Sequence, residues 1–134
     1  MCIRDSIRDN GQFVINVVPF ALAEQMNLTS AEFPPEASEF EAAGLTPSPS
    51  SKVAPPWVKE SPIQMACELI QIVEVGQGAL AANLVIGKIL LLRVAEEVAT
   101  DGRIDTQKLD AVGRLGGRDY CRTTEKFSLE RPTL

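Results

Sequence analysis

Two long segments of regularly spaced apolar residues lie in the second half of the chain. In IQMACELIQIVEV, the side chains of Ile63, Met65, Cys67 and Leu69 alternate with smaller or more polar residues. A period of two is that of an extended strand with one face towards a core. The pattern therefore predicts a strand over residues 63–75.

The second segment, NLVIGKILLLRV, is apolar on both faces. Apolar residues occupy one face at positions 84, 86, 90, 92 and 94, and the other at positions 85, 89 and 91. This pattern is typical of a strand buried between a barrel interior and another surface. We therefore predict a second long strand in that setting, joined to the first by a turn in GQGALAA.

A turn, a shorter strand and a helix are predicted upstream. Asn10-Gly11 predicts the turn, and FVINVVPF after it has strand-forming residues until Pro19 stops the strand. FALAEQMN predicts a short helix, because its residues favour helices and Leu22 and Met26 have helical spacing.

A second helix is predicted in ASEFEAAG. Ser38 is its expected N-cap, Glu41 completes a capping box, and Gly44 ends it. The Pro- and Ser-rich residues 45–62 follow. We predict an ordered loop or an extended edge there and not a flexible linker, because apolar residues such as Trp57 can be buried.

The last third of the chain predicts small elements separated by turns. TDGRIDTQKLDAV indicates a turn and one helical turn, and GRLGGRDYCRTTEKFSL indicates a Gly-punctuated loop that leads into a last strand. Short strands, few helices and frequent turns favour an α+β, mainly β barrel over a layout of alternating strands and helices.

The composition bounds the class of protein. The chain has 134 residues, 45% of them hydrophobic and 23% charged, which suits one folded domain. Its net charge of -5 argues against binding to nucleic acid or to an anionic membrane, since both need a basic face. Polar residues and proline interrupt the apolar runs before they reach the ~18 residues of a membrane span.

The cysteine and histidine content limits the chemistry. Cys2, Cys67 and Cys121 are odd in number and lack CxxC spacing, so we predict no disulfide framework, no metal site and a cytoplasmic location. The absence of His removes the Ser-His and Cys-His nucleophile pairs. Any chemistry must come from a bound cofactor or from carboxylates, and no catalytic side chain is predicted.

One glycine motif has two interpretations. Gly76, Gly78 and Ala81 match the G-x-G-x-x-A form of the dinucleotide fingerprint, with Glu96 about 20 residues beyond. That motif needs a following helix to face the pyrophosphate, whereas NLVIGKILLLRV has strand character. We therefore favour a hairpin turn.

Two polar loops are candidate binding segments. GRLGGRDY offers Arg114, Arg118 and Tyr120 among glycines that let a backbone approach a planar or anionic ligand, or it is a turn that needs positive φ. QMNLTS has hydrogen-bonding side chains that either contact a ligand or end a helix, and the helix end is favoured. The clustered carboxylates are predicted to be solvated.

Four segments occur in an order and spacing that a known family shares, from about Ile7 to Pro132: IRDNGQFVINVVPFALAEQMNLTSAEFPPEASEFEAAGLTPSPS, PPWVKESPIQMACELIQIVEVG, ANLVIG and VGRLGGRDYCRT. They resemble the flavin reductase-like proteins, which bind FMN in a split β-barrel. The resemblance implies part of a mainly β, Greek-key-like split barrel with short helices.

The first residues do not share the resemblance. In such proteins a longer N-terminal portion with the first barrel strands precedes the segment equivalent to Ile7. MCIRDS is similar instead to a translated sequencing adapter. We therefore expect residues 1–6 to be non-native, and residues 7–134 to be the C-terminal part of a single flavin reductase-like domain that lacks its N-terminal strands.

The resemblance also implies binding residues. Asn83 stands where many members have a His tied to nicotinamide binding, so it is the candidate substrate-binding residue, and the departure puts NAD(P)H use in question. The implied FMN-binding residues are in two segments, one beside the flavin and one in a C-terminal loop that approaches the cofactor or a dimer partner: Asn27, Thr29, Ser30, Arg114, Gly116, Gly117 and Tyr120.

The function implied is flavin-dependent electron transfer. The intact parent is expected to be a homodimer that binds FMN non-covalently and acts as an NAD(P)H-dependent flavin reductase or oxidoreductase, in which the flavin carries the chemistry. The alternative is a flavin-binding electron carrier or binding module without a nicotinamide site. A third expectation is that these 134 residues alone are an inactive fragment, because missing barrel strands leave sheet edges exposed.

Overall fold

The structure is a computed structural model that describes residues 3–34, 37–77 and 81–133. Within these ranges the chain is mainly β with short helices, as predicted, and none of the helices is long and apolar enough to cross a membrane. The elements in chain order are α1 (Ile3–Asn10), β1 (Gln12–Asn16), α2 (Ala23–Leu28), α3 (Glu39–Ala43), β2 (Pro47–Ser48), β3 (Trp57–Val58), β4 (Ile63–Val75), β5 (Ala82–Val94), β6 (Ala99–Thr100), β7 (Arg103–Ile104), α4 (Thr106–Leu109), β8 (Val112–Arg114) and β9 (Tyr120–Arg122).

A three-stranded antiparallel sheet in the order β1-β4-β5 forms the centre. β1 pairs with the first half of β4, with Asn16 opposite Gln64. β5 pairs with β4 along its whole length, from Val94 opposite Ile63 to Ala82 opposite Val75. Both predicted long strands are confirmed almost to the residue, with irregularities after Ala66 and Leu69 that interrupt the period of two.

The segment between β4 and β5 is a hairpin connection. Gly76 has φ +80° at the start of the connection, and the strand that follows runs antiparallel to the one before it. The hairpin interpretation is confirmed over the dinucleotide fingerprint, because the element after the glycines is β5 and not a helix. Gly78 lies outside the described residues.

The setting predicted for β5 is wrong for this chain. Leu84, Ile89 and Leu92 are 56%, 53% and 52% exposed, so β5 is not buried between two surfaces. Among the described residues only β4 pairs with β5, and the other edge of β5 has no strand beside it. The apolar pattern indicates which side chains favour burial. Whether they are buried depends on another part of the molecule that covers them, and no described residue does so here.

Helix α1 is held by contacts beyond its own length. The Gly11 N–H donates to the Ile7 carbonyl at 2.9 Å, and Gly11 has φ +64°, so the chain turns out of the helix at the predicted Asn10-Gly11 turn. Arg8 Nη2 lies 2.9 Å from Glu74 Oε1 on β4. A helix this short is only marginally stable in isolation. The ion pair of Arg8 with Glu74 on β4 is one contact that stabilises it.

The two predicted short helices are confirmed. A 3-10 turn over Phe20–Leu22 leads into α2. In α3, Ser38 Oγ accepts the Glu41 N–H at 3.4 Å, and Gly44 closes the helix with φ +65°. The predicted strand before α2 is shorter than expected. β1 ends at Asn16. The Val17 N–H still donates to the Ile63 carbonyl of β4, whereas Val18 and Pro19 pair with Val112 and Ala111.

The buried core lies where β4 and β5 meet the C-terminal segments. Ile63, Val98 and Leu109 pack together, with half-buried Val17 and Val94 against them. The predicted ordered loop is also confirmed, because Val53 and Trp57 within residues 45–62 are buried. Trp57 is buried on β3, and the Arg93 guanidinium lies 5.9 Å from the centroid of its ring.

The buried amide of Gln64 connects the loop over residues 45–62 to β5. Gln64 is fully buried, and its Nε2 donates to the carbonyls of Val58 and Ser61, both at 2.7 Å. Its Oε1 accepts from Arg93 Nη1 at 2.8 Å. The Nε2 and Oε1 groups of the buried amide therefore all have hydrogen-bond partners. These bonds hold Val58 and Ser61 of the loop against β4 and β5.

Gln64→Ala should destabilise the chain strongly. The substitution removes the side-chain donor to the buried Ser61 carbonyl, one of the two donors to the Val58 carbonyl and the acceptor of Arg93, which predicts a loss of about 2–3 kcal/mol in the free energy of unfolding. Urea denaturation measures it, with Gln71→Ala, an exposed Gln on the same strand, as the control. Equal midpoints for the two variants would contradict the assignment.

Asp105 caps helix α4. Its Oδ1 accepts the N–H groups of Gln107 and Lys108 at 2.9 and 3.3 Å, and the Thr100 hydroxyl donates to Oδ2 at 2.9 Å. The Thr100 bond foremost, with the two backbone bonds, lowers the pKa of the Asp105 carboxyl below its ordinary value. The carboxylate is thus favoured in the folded state.

The stability that Asp105 contributes should depend on acid pH. Because its pKa is lower in the folded than in the unfolded chain, the contribution is present above the unfolded value of about 3.8 and is lost as the pH falls through the folded value. Asp105→Asn keeps a capping oxygen and should flatten the fall in unfolding free energy below about pH 4. Urea unfolding at about pH 5 and about pH 3 tests this, and Asp9→Asn, matched in charge, should behave as the unmodified chain does.

Candidate functional site

A cleft of about 780 Å³ lies between helix α2 and the β8–β9 hairpin. This volume is within the usual range of small-molecule sites. The helix side contributes Ala23, Glu24, Asn27, Leu28 and the following Ser30, and the hairpin side contributes Arg114, Gly117, Arg118 and Tyr120.

The hairpin side of the cleft is held by the Arg114 side chain. Arg114 Nη1 donates to Tyr120 Oη at 3.1 Å, and Nη2 donates to the Gly117 carbonyl at 2.9 Å. The guanidinium carbon also lies 5.2 Å from the centroid of the Tyr120 ring. Gly117 has φ +63°, a conformation that few other residues adopt without strain, so the tight loop depends on this glycine.

The helix side follows from helical spacing. Glu24, Asn27 and Leu28 are at positions i, i+3 and i+4, which share one face of α2. The last turn of the helix is closed by side chains, because Thr29 Oγ1 donates to the Met26 carbonyl at 2.8 Å and Ser30 Oγ donates to the Asn27 carbonyl at 2.6 Å.

Backbone pairing joins the two sides at their base. The Phe20 N–H donates to the Asp110 carbonyl at 2.8 Å, and the Val112 N–H donates to the Val18 carbonyl at 3.0 Å. Arg122 on β9 forms an ion pair with Asp110, which raises the pKa of the guanidinium, and lies 4.3 Å from the centroid of the Phe20 ring. These contacts, which we call the base clamp, set the separation of α2 from the hairpin.

The structure brings together five of the residues implied by the resemblance. Asn27, Ser30, Arg114, Gly117 and Tyr120 all line the cleft. Their segments are far apart in the sequence, and only the fold makes them neighbours.

Three implied residues lie elsewhere. Thr29 is beside the cleft but its hydroxyl closes the helix end, and Gly116 is in the hairpin loop outside the lining. Asn83 lies on β5 opposite Glu74, exposed, and is not part of the cleft.

Three lining residues were not predicted from the sequence. Ala23, Glu24 and Leu28 surround Asn27 on α2. The signal that could have found them is the helical spacing, because a ligand that reaches Asn27 also meets the residues four before, three before and one after it.

The cleft is more positive than the chain as a whole. Its charged lining residues are Arg114, Arg118 and Glu24, whereas the chain carries a net charge of -5. A local excess of guanidinium groups attracts anions. Among the described residues no cluster of side chains suits a metal ion.

Nucleophilic chemistry has little support. Cys67 is buried, and burial raises the pKa of its thiol, so the reactive thiolate is disfavoured. Cys121 is exposed, and the chain has no His to pair with either residue. The arrangement is therefore that of a binding site, in which a cofactor would supply the chemistry.

A second cleft of about 880 Å³ is larger and mostly apolar. It lies beside β1, and its lining includes Phe13, Phe33 and Phe40 and several prolines. None of the implied binding residues lines it. The smaller cleft is the better candidate because it has the convergent polar groups that give a ligand its orientation.

The chain matches the model of the flavin reductase like domain over residues 3–109. It is 41% identical over 126 residues to an uncharacterised protein of Halalkalibacterium halodurans, an overlap of 92% of this chain and 60% of that relative. The chain spans only 60%, 65% and 56% of the first three curated relatives that it matches.

Solved structures show the same fold. The nitrilotriacetate monooxygenase component B from Bacillus cereus superposes with a TM-score of 0.87 at 34% identity, over 94% of this chain and 63% of that one. Flavoredoxin of Desulfovibrio vulgaris (Miyazaki F) gives 0.81 at 26% identity, over 94% and 66%. The predicted fold class, a mainly β split barrel with short helices, is confirmed.

The base clamp should control the motion of the cleft walls. Arg122→Gln removes the ion pair to Asp110 and the contact with Phe20, so the Phe20 and Val112 amides should exchange with solvent about two- to fivefold faster. Hydrogen exchange measured by NMR tests this. Arg103→Gln removes the same charge from β7 and should leave both amides unchanged, and equal exchange in the two variants would contradict the clamp.

Proposed function

The chain belongs to the flavin reductase-like family, and on that premise we propose that it is part of an FMN-binding oxidoreductase. FMN binds non-covalently and passes hydride or electrons between NAD(P)H and an acceptor. The activity is assigned to the whole protein, because this chain spans about three fifths of its relatives. The 134 residues alone are expected to have little turnover.

One observation carries the proposal. The cleft between α2 and the β8–β9 hairpin gathers Asn27, Ser30, Arg114, Gly117 and Tyr120, which are five of the seven residues that the family resemblance implied for FMN. The resemblance was drawn from sequence segments, whereas the cleft follows from geometry. Their agreement supports this cleft as part of the flavin site.

The residues of the cleft suit a flavin. The isoalloxazine ring supplies hydride and electron transfer when FMN is bound, so the protein needs only to bind and orient it. The Asn27 carboxamide can donate to and accept from a polar ring edge, and the Arg114 and Tyr120 side chains offer donors to anionic groups. None of these roles needs a nucleophile.

A second candidate is a flavin-binding electron carrier without a nicotinamide site. Asn83 favours it, because the resemblance places a nicotinamide-linked His at that position in many members. The structural likeness to a flavoredoxin at 26% identity is consistent with it as well. The two candidates share the flavin and differ only in the electron donor.

The whole protein is proposed to be a cytoplasmic homodimer. The support for a dimer is the set of apolar side chains that β5 leaves exposed, among them Leu84, Ile89 and Leu92. Large apolar side chains exposed together are typical of surfaces that another chain or segment covers.

Titration of the chain with FMN, followed by quenching of flavin fluorescence, tests the proposal. We expect binding, and Arg114→Gln should weaken it about tenfold because a charge-assisted hydrogen bond is lost. Arg103→Gln, an exposed arginine outside the cleft, should not weaken it. A folded chain that quenches no flavin fluorescence would overturn the proposal.

The electron donor is then tested without air on the FMN-loaded whole protein, because the 134 residues alone are expected to have little turnover. Loss of the visible flavin absorbance on addition of NADH or NADPH supports the reductase. Flavin that stays oxidised with both nucleotides but is reduced by dithionite supports the electron carrier.

A further inference from the structure

We propose that the larger, mostly apolar cleft beside β1 binds an uncharged aromatic compound that carries a hydrogen-bond donor and an acceptor. The cleft has a volume of about 880 Å³, which is within the usual range of small-molecule sites. None of the residues implied by the family resemblance lines it. The assignment follows from the lining residues and does not depend on the proposed function.

Aromatic and proline rings form much of the lining. Phe13 lies on β1, Phe33 lies between α2 and α3, and Phe40 lies in α3, and all three are half-buried. Pro55 and Pro56 add the rings of a further segment. Because aromatic rings contact one another favourably in stacked and edge-to-face arrangements, beyond the gain from buried area, a lining with several rings favours an aromatic ligand.

The Phe13 ring is positioned by the central sheet. Phe13 pairs with β4 from one side and Gly87 pairs with it from the other, and the ring reaches across to Gly87. A Cβ atom at Gly87 would lie only 2.4 Å from Phe13 Cζ, so the ring occupies the space that this glycine leaves open. A ring that the protein already holds loses little freedom when a ligand binds against it.

Two side-chain amides on either side of Gly11 supply polar groups to the cleft. Asn10 Nδ2 donates to the Ser6 carbonyl at 2.8 Å. Gln12 Oε1 accepts the Ala54 N–H at 2.9 Å. Each amide is therefore held by one end, whereas the other end, Asn10 Oδ1 or Gln12 Nε2, has no partner among the described residues. An acceptor and a donor remain for a ligand that carries the complementary pair.

The charge of the lining disfavours an anion. Of the described residues that line this cleft, only Glu39 is charged, and none is an arginine or a lysine. An anion would lose water and meet a carboxylate without a cation to offset that cost. The smaller cleft differs in this respect, because Arg114 and Arg118 line it. The two clefts are therefore suited to different ligands.

The apolar cleft is a neighbour of the candidate flavin site. Ser30 lines the smaller cleft and Phe33 lines the apolar one, and the two linings share no residue. Three residues of extended chain span at most about 11 Å, so the Cα atoms of Ser30 and Phe33 are no further apart than that. The aromatic compound therefore lies close to the ligand of the smaller cleft and in a separate site.

The first experiment compares 2-naphthamide with 2-naphthoate, which share a ring system and differ in charge. Each probe is titrated into the 15N-labelled chain of 134 residues. We expect 2-naphthamide to shift the backbone amide signals of Gln12, Phe13 and Phe33, and 2-naphthoate to bind about tenfold more weakly. Glu39→Gln removes the repulsion and should bring the two affinities closer together.

A pair of phenylalanine variants tests the aromatic contact. Phe33→Leu keeps an apolar side chain but removes the ring, so the affinity for 2-naphthamide should fall about three- to tenfold. Phe127→Leu is the matched control, because Phe127 is 86% exposed and lies outside the cleft. The control variant should bind as the unmodified chain does.

Other outcomes overturn the site. It is refuted if 2-naphthamide shifts none of the three signals, if both phenylalanine variants weaken binding equally, or if the amide and the carboxylate bind equally well. Binding that weakens as the chain concentration rises would show that a second copy covers the cleft. A probe that binds the 134 residues but not the whole protein would show that another segment fills it.

A competition experiment separates this site from the flavin site. FMN should bind equally well with and without saturating 2-naphthamide. Competition between the two would place the flavin ring in the apolar cleft and overturn the assignment. If 2-naphthamide binds as expected and FMN does not bind at all, the apolar site stands and the proposed function fails.

Discussion

The cleft depends on one backbone contact, the pairing of Pro19 with Ala111. The flanking hydrogen bonds, from Val112 to Val18 and from Phe20 to Asp110, make it a short antiparallel join between parts of the chain that are far apart in sequence. Closing so long a loop costs conformational entropy that local contacts do not offset. Packing in the core offsets part of this entropy cost, because Val17 and Ala111 also pack against the buried residues Ile63, Val98 and Leu109. Binding residues and hydrophobic core are therefore stabilised together.

The elements that could be predicted from the sequence are those whose cause is local. The period of two in residues 63–75 follows from one strand having two faces, and the ends of α3 follow from the capping chemistry of Ser38 and Gly44. The early end of β1 could not be predicted in this way. Val17 and Val18 favour a strand as the residues before them do, but the Val17 N–H still donates to Ile63 of β4 whereas the Val18 carbonyl accepts from Val112. The chain therefore changes partners between two residues of the same composition, before Pro19.

The site shows the same division between local and distant causes. The family resemblance implied residues in both walls, yet only the fold separates Ser30, which lines the cleft, from Thr29, which does not. The positive charge of the cleft could not be predicted from the composition either, because a net charge of -5 does not indicate where the arginines lie. The burial expected for β5 was wrong for a related reason, since burial depends on a covering surface.

The unpaired edge of β5 also has a consequence for how the chain behaves in concentrated solution. Within the described residues, about every second residue of the thirteen in β5 directs its backbone N–H and C=O groups away from β4, and β5 also carries large exposed apolar side chains. Such an edge can template the addition of any extended segment, including the same strand of another molecule, and strand addition of this kind leads to open-ended fibres. Lys88 and Arg93 are the charges along β5 that oppose it. The colloidal stability of the chain therefore depends on electrostatic repulsion, and added salt, which screens those charges, works against it.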